Sequence, residues 1–327
     1  MTSPRRRHLP GESTMTVVVA LAANLGIALA KLAAAIVTGS SAMLAESFHA
    51  MADTGTEVLL LVAQRQSERP ADDAHPLGHG RAAYFWALIA ALGVFVTGAL
   101  LSIRQGLHEL LHPGELTSFG VAYVVLAISL TLESVSLRRA YRQLRGEATD
   151  LRRGFTEHVR LTSDPITRAV FAEDAAAVAG NLIAGAGIAL RQLIGSPIPD
   201  AVAALLIGVI LGYVALELAR RNGDFLIGQR APAPIEADVR KTILGQRGVT
   251  AVTELMVTFL GPRRLRVLAH VDIDDGLSGA EVKSLIREIE DALCGSSPFI
   301  DRVDVVPDGR RRGPGNPDGD RNLQSGS

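Results

Sequence analysis

One cysteine, one tryptophan and an aromatic content of 4% are all that this 327-residue chain holds of three residue classes that often organise a fold. A lone Cys294 excludes an intrachain disulfide framework and a cysteine-rich zinc cluster. Lysine plus arginine (33) nearly balances aspartate plus glutamate (34), so nothing in the charge points to nucleic acid. There is no fixed-period repeat and no coiled-coil heptad. His-Glu-x-x-His and Gly-x-Ser-x-Gly are both absent, which removes the common hydrolase signatures and makes an enzyme a poor reading.

What is abundant is apolar sequence. Hydrophobic residues make up 48% and the mean hydropathy is +0.24, a positive value that soluble chains of this length rarely reach. Charge is concentrated in the last third. Six stretches, at about 14–37, 41–64, 82–110, 118–141, 166–190 and 199–220, are long enough to cross roughly 30 Å of hydrocarbon as helices. The first is too long for a signal-peptide core and reads as a retained helix. Arginines crowd alternate connections. Arg5, Arg6 and Arg7 precede the first span, and Arg65, Arg69 and Arg81 flank the second connection. Arg138, Arg139, Arg142, Arg145, Arg152, Arg153 and Arg160 fill the fourth, and Arg220 and Arg221 follow the sixth span. The bias predicts a multi-pass protein of the cell membrane with both termini cytoplasmic.

Residues 223–307 read as a cytoplasmic regulatory or dimerisation domain after a transport domain at 14–222. A helix is expected over 235–244, strands over 252–259 and 265–273, a helix over 279–293 entered through Ser278, and a strand over 303–306. That order, α-β-β-α-β, suits a small ferredoxin-like sheet with helices on one face. Residues 1–13 and 308–327 are polar and rich in Gly, Pro and Arg, and are expected to be disordered.

Seven side chains in two groups carry the candidate chemistry. His49 and Asp53 are one helical turn apart within the second span. An ionisable group there is costly unless it is paired or functional. Imidazole and carboxylate supply two of the four ligands of a zinc-like ion, and a plain His–Asp hydrogen bond between helices is the alternative. Glu173 and Asp174 sit early in the fifth span and could complete the set, with Arg168 able to neutralise one of them. Asp72, His75 and His79, in the connection after the second span, have zinc-ligand spacing. Asn24 could bond a neighbouring helix and Lys31 could snorkel to the interface.

These motifs resemble the cation diffusion facilitators, a family of zinc and related metal exporters. The likeness covers about residues 14–307, and Leu44 to Asp53 is similar to the family's second-helix motif. The resemblance implies an all-α six-helix transmembrane domain followed by a small α+β cytoplasmic domain. It also implies a proton-coupled antiporter working as a homodimer in the bilayer, with His49 and Asp53 holding the transported Zn²⁺. In the family's fifth-helix motif the first ligand position falls on Val170, which cannot bind metal, and Asp174 takes the second. The adjacent Glu173-Asp174 pair resembles the branch related to the mitochondrial zinc transporter of animals. One histidine among several carboxylates also admits Mn²⁺, Fe²⁺ and Co²⁺. The Asp-x-x-His-x-x-x-His segment resembles the family's second metal site, at the cytoplasmic entrance. The domain over 232–307 offers only His270 at a matching position, with Glu254 where histidine is common, so a full metal cluster is not expected there. A membrane scaffold or sensor that no longer transports is the rival reading.

Overall fold

A computed structural model describes residues 14–150 and 154–308. The expected disorder of 1–13 and of the tail, and Arg152 and Arg153, lie outside these residues. The chain divides near Gln229 into a helical unit and a small α+β unit.

The helical unit is α1 (Thr14–Thr38), α2 (Ser41–Ser67), α3 (Ala82–Gly93), a π-helical stretch (Val94–Leu100), α4 (Leu101–Leu111), α5 (Phe119–Asp150), a short α6 (Phe155–Leu161), α7 (Pro165–Ile194) and α8 (Ile198–Leu226). From α3 to α4 the chain runs on as a single 30-residue rod. Among the described residues, five segments are long and apolar enough to cross a membrane: Leu21–Thr38, Ala82–Leu111, Phe119–Thr149, Pro165–Ile194 and Ile198–Leu226. The second expected span is missing from that set, although α2 has 27 residues, roughly 40 Å of helix. Its composition explains the difference. Glu46, His49, Asp53 and Glu57 lower its hydropathy, and it can carry them because it packs against α1, α3, α4, α7 and α8 rather than facing lipid.

Local sequence fixes the helix ends. The Ser40 hydroxyl accepts from the Met43 N–H at 3.1 Å and caps α2. The Asp200 carboxylate adds to that cap, accepting the Ser41 N–H at 2.7 Å and the Ser40 hydroxyl at 2.6 Å, where the positive end of the helix dipole favours an anion. Arg191 neutralises this corner through Glu109 (2.9 Å) and Asp200 (3.4 Å). Asp164 caps α7 ahead of Pro165, and Gly195, at φ 71°, ends it in the left-handed region.

Small residues bring the helices together, since burial of apolar surface does not drive association in lipid. Alanines 42, 45, 176, 184, 203 and 204 form much of the buried centre. A Cβ on Gly187 of α7 would stand 2.5 Å from the Ala203 Cβ of α8. Large side chains such as Val124, Ile128, Leu206 and Val209 point outward.

The second unit holds α9 (Ala233–Leu244), β1 (Val249–Gly261), β2 (Arg264–Ile273), α10 (Gly279–Ser296) and β3 (Ile300–Pro307). This is the expected α-β-β-α-β order, with strand order β1-β2-β3 and β2 parallel to β3. Side chains of β2 alternate between buried and half-buried, the period of a sheet with one covered face. Ser278 enters α10 through a capping box with Glu281.

Candidate metal centre

The candidate centre starts from α2, where His49 Nε2 lies 3.4 Å from Asp53 Oδ2. His49 is 1% exposed, and neither ring nitrogen has a hydrogen-bond partner. Asp53 Oδ1 is also buried and unpartnered. A buried polar atom without a partner costs about 1–3 kcal/mol, so these atoms are costly to leave unpaired.

Asp53 faces a cavity of about 100 Å³. Five carboxyl side chains from three helices line it: Asp53 and Glu57 of α2, Glu133 of α5, and Glu173 and Asp174 of α7. Glu173 is buried with an unpartnered Oε1, and Asp174 accepts from the Ser136 hydroxyl at 2.7 Å. The Asn24 amide donates to Glu57, so the first helix does bond its neighbour. Val170 contributes an apolar patch to the same wall. His49 is not part of the wall and reaches it through Asp53. The structure thus brings Asp53, Glu173 and Asp174 to one space and sets His49 behind Asp53.

Two expectations are corrected. Lys31 does not snorkel: it is fully buried and pairs with Glu46 at 2.8 Å and Glu133 at 2.9 Å. Two carboxylates inside the bundle hold it more favourably than the interface could. Arg168 does not neutralise the Glu173-Asp174 pair. Its guanidinium bonds Asn222 Oδ1 (2.9 Å) and the Thr162 carbonyl (3.2 Å), and it lies over the Phe225 ring.

Sequence reasoning passed over Glu133 and Ser136. A signal for Glu133 existed, because it is an acid in the apolar run of the fourth span. Ser136 carries none, since a serine in a span is ordinary.

Asp72, His75 and His79 do converge. Their donor atoms all lie within 4.8 Å of one another, and among the described residues no other such group of three or more exists. His75 Nδ1 is 3.2 Å from Asp72 Oδ1, and His79 Nε2 is 3.5 Å from Asp72 Oδ2. The turn that gathers them runs through the His75 N–H, which donates to Asp72 Oδ1 at 2.6 Å, and Gly78 at φ 77°. That backbone N–H holds the Asp72 carboxyl below the usual carboxylate range. His79 Nδ1 lies 3.2 Å from the Pro70 carbonyl; donation there leaves Nε2 free for an ion.

The described residues thus form a bundle of apolar helices around an acidic cavity and, later in the chain, a small α+β unit. The chain belongs to the cation efflux family: its transmembrane domain model matches residues 17–227. The chain is 34% identical to the mitochondrial proton-coupled zinc antiporter SLC30A9 of Xenopus laevis over 75% of its own length and 44% of that protein. It is 30% identical to metal tolerance protein C4 of Arabidopsis thaliana, over 72% of this chain and 52% of that one. It is 28% identical to the cation-efflux pump FieF of Serratia proteamaculans, over 84% of this chain and 87% of that one. The chain thus spans about half the length of the first two relatives and most of the third.

Proposed function

We propose that the chain exports a divalent transition metal from the cytoplasm in exchange for protons, with Zn²⁺ the first candidate. The observation that carries this reading is the cavity walled by five carboxyl groups inside a membrane bundle. So many acids facing one space within a membrane bundle require cations, whether protons or a metal ion. Asp53, Glu173 and Asp174 are the proposed carboxylate ligands, with His49 completing the set by a small movement past Asp53. The relatives' names, a zinc antiporter coupled to protons and a cation-efflux pump, support both the cargo and the coupling. Mixed imidazole and carboxylate donors leave Mn²⁺, Fe²⁺ and Co²⁺ as further substrates.

Exchange follows from competition. Donor atoms bind metal only when deprotonated, so protons entering from the far side expel the ion. The Asp72–His75–His79 triad is proposed to hold a second ion at the cytoplasmic entrance. We place the protein in the cell membrane as a homodimer with both termini cytoplasmic. Uptake of Zn²⁺, Mn²⁺, Fe²⁺ and Co²⁺ into inverted vesicles tests this: Zn²⁺ accumulation driven by a proton gradient is expected, and no accumulation of any of the four contradicts it. A scaffold or sensor that has lost transport is favoured only by Val170, and the same assay separates it.

A further inference from the structure

Lys31 is a buried charge that the exchange mechanism does not use. It stands within α1, fully enclosed, with its ammonium 2.8 Å from Glu46 Oε2 and 2.9 Å from Glu133 Oε1. Three helices, α1, α2 and α5, therefore meet on one cation. Its two partners are not equivalent. Glu46 lies against Gly180 of α7, in space that a Cβ on that residue would fill, and its Oε1 has no partner. Glu133 is part of the cavity wall beside Asp53 and Asp174, and its second oxygen accepts from the Asn181 amide. One carboxylate thus belongs both to Lys31 and to the space where the transported ion is proposed to sit.

We infer that Lys31 is a resident cation of the transport site, holding Glu133 while the cavity is empty and competing with the transported ion for that carboxylate. The inference rests on the transport reading above. Two cations sharing one carboxylate in a low-dielectric interior repel strongly. A competitor held behind the wall, on Glu133, keeps the ion from binding too tightly to leave, which any carrier needs. The bland alternative is that Lys31 only ties three helices together, which would affect folding and not the affinity of a folded protein.

Equilibrium Zn²⁺ titration of the purified full-length protein separates the two, with size-exclusion elution as the check on folding. The titration is made in an H75A/H79A background, so that the entrance triad does not contribute. Lys31→Met keeps the length of the stem and removes the charge. It is expected to bind Zn²⁺ about tenfold more tightly, equivalent to ~1.4 kcal/mol. Lys31→Arg keeps the charge and is expected to bind like the parent. Glu133→Gln leaves Lys31 to Glu46 and is expected to weaken binding about tenfold. In that background the lysine substitution should yield no comparable gain. A folded Lys31→Met protein with unchanged or weaker affinity overturns the inference. If that variant does not fold, Glu133→Gln decides, and unchanged affinity there overturns it equally. Asp53→Ala guards the underlying reading: undiminished Zn²⁺ binding by that variant sinks the transport site itself. Loss of binding in Asp53→Ala with no effect of Glu133→Gln sinks only the role of Lys31.

Discussion

An acid in a membrane span must find a partner, and the carboxyls here find three kinds. Glu46 and Glu133 share a lysine, Glu57 and Asp174 take neutral donors from Asn24 and Ser136, and Asp53 and Glu173 each keep an oxygen free. The last two, with Asp174, are the proposed carboxylate donors to an ion. Outside the membrane, Asp72 allows a pH prediction. Its carboxyl is held low by the His75 N–H, so it stays ionised as pH falls through the ordinary carboxylate range and is neutralised only below it. In an Asp53→Ala background, Asp72 should therefore still act as an anionic ligand for Zn²⁺ on the triad within the ordinary carboxylate range. Asp72→Asn should weaken that binding at every pH between roughly 5 and 8; Zn²⁺ titration at a series of pH values checks this, and equal affinity of the two proteins would contradict it. The His49–Asp53 pair was legible because its four-residue spacing fits one helix face. Glu133 carried only the signal of an acid in an apolar run, because a single acid has no spacing and its Lys31 and Asn181 partners come from α1 and α7. Lys31 was misread for the same reason: its depth depends on Glu46 and Glu133, fifteen and about a hundred residues away.

Helices were readable from apolar length, and the small domain from its switch between helical and alternating patterns. What hydropathy could not reveal is that α2 would lie inside the bundle, where its polar face is no penalty. Nor could it reveal the π-helical stretch Val94–Leu100, since one extra residue per turn leaves apolar composition unchanged. The short α6 also went unread, because seven residues among many arginines give no period. Close packing of α7 gives the test at this scale. Gly180 leaves room for the Glu46 carboxylate, and Gly187 leaves room for α8. Gly187→Leu should destabilise the bundle by roughly 1–3 kcal/mol, seen as a lower melting temperature in detergent, while Ala at Gly185, where a Cβ would meet nothing within 4 Å, should not. Gly180→Leu should do more, because it also displaces the Glu46 partner of Lys31. Unchanged melting in both would contradict the packing described.

At the scale of the whole molecule, the single cysteine becomes a reporter. Cys294 is exposed on α10, and burial of part of its side chain pushes the thiol up, so labelling needs mildly alkaline buffer. If the C-terminal domain is cytoplasmic, a membrane-impermeant maleimide should label Cys294 in inverted vesicles and leave it unlabelled in right-side-out ones. The opposite pattern would reverse the proposed topology and with it the direction of export. The central claim is narrower: an acidic cavity built around Asp53 exchanges metal for protons. The direct measurement is Zn²⁺-driven proton flux in proteoliposomes, comparing the parent protein with Asp53→Ala at equal protein content. The account predicts that flux in the variant falls to the level of empty liposomes. Flux equal to that of the parent would contradict it.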